Sequence, residues 1–152
     1  MRDEVWNLRT RRCYRVIEKA LFAASDRLGM RLTHYSVQGN HLHLIVEARD
    51  AQALSRGAQG LCVRIARGLN RLMLRKGKVF ADRFHSHILR TPREVRNAIA
   101  YVLGNAGIHA LRQGKPAPRG SDPYAAGTGD PVVAPPRTWL LRVGWQSAQG
   151  QA

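Results

Sequence analysis

The sequence predicts an α+β domain, on three observations. Apolar residues recur with helical period over 11–28 and 51–75, and with strand period over 31–38 and 41–48. Gln38-Gly39-Asn40 separates the two strand-like runs as a turn. Thr91-Pro92-Arg93-Glu94 opens a last helix. With a further strand-like run over 78–90, the order is helix, strand, strand, helix, strand, helix. One strand placed in front makes this βαββαβ, a ferredoxin-like antiparallel sheet with helices on one face. That first strand is missing from the sequence.

The first helix, 11–28, puts Val16, Ala20, Leu21, Ala24 and Leu28 on one stripe, and Gly29 is its stop. Residues 31–38 and 41–48 then form a β-hairpin. The long helix, 51–75, turns Leu54, Leu61, Ile65 and Leu72 inward and ends before Gly77. On its other side Arg64, Arg67, Arg71 and Arg75 share a stripe, with Arg56 flanking it. Residues 78–90 read as a strand, bulged in places. In the last helix Thr91 is the N-cap, Pro92 takes the first position and Glu94 completes a capping box. It should run to about residue 104 or 107, with Val95, Ile99, Val102 and Leu103 as its apolar stripe.

Two regions follow from composition. Residues 1–112 hold these periodicities. Residues 113–152 hold six of the seven prolines among Gly, Ala and Ser, and read as an extended or disordered tail whose apolar end, Thr138–Trp145, can dock on the domain as a short strand or turn. The formal net charge is +15, and 21 of the 25 cations are arginine. Arginine's planar fork matches phosphate oxygens, so the excess points to nucleic acid. Apolar residues at 44% exclude a wholly disordered basic chain. No apolar run reaches the ~18 residues of a membrane span, and the N-terminus lacks the apolar core of a signal peptide. Cys13 and Cys62 form no CxxC and read as reduced, mostly buried thiols. These features place the chain in the cytoplasm, off the membrane and associated with the nucleoid.

His41-Leu42-His43 carries the most chemical information. In a strand, residues i and i+2 share a face, so both imidazoles project together while Leu42, Leu44 and Val46 face the core. Two neutral imidazoles are half of a divalent-metal site; two polar residues on a solvated face are the alternative. Glu47 shares that face, as a ligand, an orienting group or a surface carboxylate. His85-Ser86-His87 has no apolar anchor at its centre and ranks below the first pair; one of its histidines can touch a phosphate, as can Arg83. On the last helix Tyr101 and Asn105 lie off the apolar stripe and one turn apart. A metal on His41 and His43 could polarise a phosphodiester, Asn105 could complete the ligands, and Tyr101 could attack. A half-covered aromatic and a helix C-cap are the plain readings of the same two residues.

At these residues the chain resembles the REP-associated tyrosine transposases, single-tyrosine members of the HUH superfamily. The similarity spans roughly residues 5–112. It rests on the stretch from His34 to Glu47 (HYSVQGNHLHLIVE), on Phe80-Ala81-Asp82-Arg83-Phe84-His85, and on Tyr101-Val102-Leu103-Gly104-Asn105. The interval from His41 to Tyr101, 101 − 41 = 60 residues, matches the family's spacing. The resemblance implies a metal-dependent DNA endonuclease and strand transferase. It would act on single-stranded or hairpin repeat DNA through a 5′-phosphotyrosine at Tyr101, as a monomer or homodimer. Mg²⁺ or Mn²⁺ would be held by His41, His43 and Asn105. Arg56, Arg64, Arg67, Arg71, Arg75, Arg83 and His85 would contact nucleic acid. The family's strand of the His-Val-Thr-Leu-Arg type, expected just before Met1–Arg9, is lacking, and its Asn-Pro is here Asn105-Ala106. A catalytically inactive DNA- or RNA-binding module on the same fold, or a small metal hydrolase using water, are the alternative activities.

Overall fold

The computed structural model describes residues 1–2, 4–116, 119–127 and 129–148, with only the backbone of Ala106 and His109. Pro118, counted above in the tail, and the His109 side chain lie outside the described residues. The elements run α1 (Arg11–Ala24), β1 (Asp26–Arg27), β2 (Met30–Val37), β3 (Leu42–Ala48), α2 (Ala51–Leu72) and α3 (Pro92–Arg112), followed by a π-helical turn at Leu140–Gly144 and a helical turn at Trp145–Ser147. The protein is α+β, with an antiparallel sheet of order β1-β2-β3.

Thr10 caps α1 by accepting from the Cys13 amide. The helix stops four residues sooner than its apolar stripe suggests. Leu28 and Gly29 both take positive φ (57° and 77°), which suits a tight hairpin turn joining Arg27 to Met30. Leu28 is therefore at the exposed tip of a turn and leaves the stripe. Cys13, Ile17, Ala20, Leu21 and Ala24 form the buried face instead.

β2 and β3 pair as the hairpin expected, with one irregularity. Leu32 pairs with Val46 and His34 with Ile45, so Thr33 is an extra residue. Its hydroxyl donates to the Ile45 carbonyl at 3.0 Å. The bulge shifts the side-chain parity of β2, which lets Leu32, Tyr35 and Val37 all enter one core. That core lies between the sheet and the α1–α2 layer, and Leu42, Leu44 and Val46 of β3 pack against it. On the opposite face of the sheet, Ile45 packs with Val95, Ile99 and Val102 of α3. The sheet is thus covered by α1 and α2 on one side and by α3 on the other.

Two expectations change. Residues 78–90 form no strand. Val79 is buried and its carbonyl accepts from the Arg2 amide at 2.9 Å, but 81–88 are exposed coil. The last strand of a βαββαβ sheet needs the first as its neighbour, and among the described residues none stands there to satisfy its backbone.

The second change concerns the tail: its apolar end docks as expected, and the stretch before it is also packed, as a folded strap. The Val37 amide donates to the Tyr124 carbonyl (2.8 Å), the Ala126 amide to the Tyr35 carbonyl (2.9 Å) and the Ala134 amide to the Leu32 carbonyl (2.8 Å). The strap therefore pairs along the edge of β2 that β1 leaves open. Arg9 grips Asp122 with both terminal nitrogens at 2.9 and 2.8 Å and stacks over Tyr124. The Tyr14 and Tyr35 hydroxyls share a 2.8 Å bond, and Tyr35 donates to Asp130 at 3.0 Å. Val132 enters the main core and Leu141 the α3 core, with Trp145 packed on it. A proline-rich segment can dock in this way because its fixed φ angles lower the entropy lost on ordering. No helix among the described residues is long and apolar enough to cross a membrane.

Candidate functional site

α3 begins with the capping box its sequence announces. Thr91 Oγ1 accepts from the Glu94 amide at 3.2 Å, and Glu94 accepts from the Thr91 and Arg90 amides at 2.9 and 2.7 Å. The helix runs to Arg112, past the expected end. Asn105 is consequently inside the helix, and the C-cap reading of it is overturned.

The apolar stripe of α3 faces Ile45, which fixes the neighbours of β3 on the same side. His41 and His43 share that face, and His43 meets Tyr101 edge to face with ring centroids 5.1 Å apart. The two histidines also meet edge to face, with His41 Nε2 and His43 Nε2 3.1 Å apart. Tyr101 is 48% exposed. Asn105, one turn further along α3, is 1% exposed, and its amide nitrogen has no hydrogen-bond partner among the described residues.

The histidine pair fits a divalent cation. Two nitrogens each about 2.1 Å from one ion, at near a right angle, lie about 3 Å apart; the histidine pair has that spacing. His41 Nδ1 is 2.7 Å from Asn40 Oδ1. An amide oxygen only accepts, so Nδ1 carries the proton and Nε2 is the unprotonated nitrogen, the form in which an imidazole can ligate. The unmatched atom at Asn105 is the donor Nδ2, which cannot ligate a cation; a metal would take the carbonyl Oδ1. Among the described residues no group of three or more His, Cys, Asp or Glu is assembled; the third donor expected from the sequence, Asn105, is a carboxamide. Asn40 has a role not assigned to it from the sequence, where it served as a turn residue; its place directly before the His-x-His was the available signal.

Glu47 lies on the histidine face of β3 but belongs to a different construction. It is buried and accepts from Arg31 Nη1 (3.0 Å), the Arg137 amide (2.9 Å), the Thr138 amide (2.7 Å) and the Thr138 hydroxyl (2.6 Å). It pins the strap, and the readings of it as ligand or surface residue are corrected. Burial raises its pKa, but the bonds from Thr138, the two amides and Arg31 outweigh burial and hold it below the ordinary 4.5. A carboxyl with a lower pKa folded than unfolded stabilises the fold fully above the unfolded value, and loses that contribution as pH falls through the folded one. Denaturant midpoints followed from about pH 6 to pH 3 should therefore fall below about pH 4.5, and substitution of Glu47 should flatten this acid limb.

The α2 cations do not gather at this site. α2 buries Leu61, Ile65 and Leu69 against the α1 side of the sheet, so its outward arginines are across the sheet from His41, His43 and Tyr101. Arg56, Arg64, Arg67 and Arg71 are exposed there. Arg75 is engaged with Glu4 (3.1 Å), Asn70 (3.2 Å) and the Lys78 carbonyl, closing the end of α2. Arg83 and His85 are exposed on the coil before α3. His34 is part-buried, 3.1 Å from the Thr33 hydroxyl, and burial lowers its pKa. Cys13 is buried; Cys62 is partly so, and burial raises its pKa. Trp145 anchors the strap, whereas Trp139 is exposed over Gly144. No protein-family model, curated protein or solved structure matches the chain.

Proposed function

We propose that this protein is a metal-dependent DNA nickase and strand transferase with Tyr101 as its nucleophile, working in the cytoplasm at the nucleoid. The observation that carries the reading is the junction of His41, His43 and Tyr101, where paired imidazole nitrogens stand against an exposed tyrosine. His41, His43 and Asn105 would hold Mg²⁺ or Mn²⁺, which supplies Lewis-acid polarisation of a phosphodiester. Asn40 fixes the tautomer of His41. Packing of Val95, Ile99 and Val102 on Ile45 holds α3 in place, so the Tyr101 ring is set against His43 by a rigid helix. The Tyr101 hydroxyl gives up its proton and its oxygen bonds to phosphorus. The bond from phosphorus to the 3′ oxygen breaks, and that oxygen leaves as a 3′-hydroxyl after taking a proton.

Incubation with Mn²⁺ and labelled single-stranded or hairpin DNA should give a labelled band at the mass of protein plus DNA in denaturing gels, absent with chelator. Asn40→Ala should weaken Mn²⁺ binding about 10–100-fold in calorimetric titration, since it removes the group that orients His41. Unchanged affinity would show that Asn40 does not set that ligand.

One observation favours a second reading, a catalytically silent DNA- or RNA-binding module. The exposed arginines of α2 are on the face away from Tyr101. Nucleic-acid binding with no covalent product under any divalent metal would select it.

A further inference from the structure

Gly68 of α2 meets Val16 of α1 so closely that a Cβ there would collide with the valine side chain. This contact identifies the flanks on which the two helices meet. At 3.6 residues per turn, Arg12 and Lys19 lie about 40° and 60° from Val16, on its outward side. By the same rule Arg64 and Arg71 lie about 40° and 60° outward from Gly68. In each helix the two cations stand four residues before and three after the contact. The seam is therefore bordered by four cations, two per helix, each pair about 10 Å apart along its axis.

All four are exposed, as are Arg15 and Arg67 on the crests. α2 contains no Asp or Glu in its 22 residues. The single acid of α1, Glu18, lies on the opposite flank from Val16. Arg12 stacks over Trp6 at 5.5 Å, which orders the guanidinium while leaving its N–H edge available.

We propose that the α1–α2 seam grips the phosphate backbone of double-stranded nucleic acid, on a surface separate from the Tyr101 site. Facing rows of cations match a lattice of fixed phosphates and carry no base recognition. The floor between them is Val16 and Gly68, which offers no ring for unpaired bases to stack on; the one ring at the border, Trp6, is covered by Arg12. The surface does not depend on the cleavage reading, because it lies on the other side of the sheet and needs no metal.

The test is fluorescence anisotropy of the full chain with a labelled duplex of about 20 base pairs, in EDTA, across a salt series. Lys19→Gln/Arg64→Gln/Arg71→Gln should weaken binding at least about tenfold and reduce the log–log salt slope by about 3. A charge-matched control, Arg27→Gln/Arg119→Gln/Arg142→Gln, should keep the wild-type slope at the seam. Arg64→Lys/Arg71→Lys should retain most of the binding, which separates lost charge from lost fold. Equal losses in the control and seam variants would overturn the proposal. So would tighter binding of a single strand than of the duplex. A seam variant that loses only binding to phosphatidylserine vesicles would assign the surface to membranes instead. Failure to cleave DNA would leave each of these results unaffected.

Discussion

Replacing Tyr101 by phenylalanine is expected to abolish covalent capture of DNA with the fold intact. The ring's contact with His43 survives the change, and only the hydroxyl is lost. The side chain is 48% exposed, so stability should move by no more than about 0.5 kcal/mol. Removing a covalent nucleophile lowers turnover by as much as about a million-fold where this has been measured, so the denaturing gel should show no adduct. Stability is checked in the same preparation by urea unfolding. A Phe variant that still forms adduct would place the nucleophile elsewhere. One that cleaves without adduct would assign the attack to water, with His41 and His43 still required.

The largest stability effect is expected at Glu47. Substitution by alanine leaves the Arg31 guanidinium, the Arg137 and Thr138 amides and the Thr138 hydroxyl without their shared acceptor. Breaking a buried ion pair from one side costs about 3–5 kcal/mol, a large share of the 5–15 kcal/mol that holds a typical domain together. Equilibrium urea unfolding should show that loss. Limited proteolysis should show new cleavage around 131–138, the segment this carboxylate holds. Glu47→Gln keeps an acceptor oxygen and should lose less. A loss under about 1 kcal/mol in the alanine variant would mean that the strap is held chiefly by Val132 and Leu141.

Much of the candidate site was legible because it depends on short-range geometry. Period-two alternation sets His41 and His43 on one face and Leu42, Leu44 and Val46 on the other, and the structure agrees. The capping box fixed the start of α3, and its apolar stripe fixed the face that meets Ile45. What was illegible depends on partners distant in sequence. The run 78–90 has the apolar content of a strand, but a strand forms only beside another. The bulge at Thr33 is a property of two strands in register, and nothing in the residues of β2 alone announces it. The strap was hidden by composition: proline and glycine report the absence of regular structure, not the absence of packing. Helical period placed the α2 arginines on one stripe but could not give the side of the sheet on which that stripe lies.

The strap also bears on the order in which the molecule assembles. Its anchors join Arg9 to Asp122 and Glu47 to Thr138, 113 and 91 residues apart. The β2–β3 hairpin and the capped start of α3 close over a few residues each. Loop closure grows costlier with length, so the hairpin and helices can consolidate before the strap returns across them. Contacts absent from the folding transition state act on the rate of opening. Substitutions at Glu47, Asp122 and Asp130 are therefore expected to speed unfolding more than they slow folding, as chevron kinetics in urea would read.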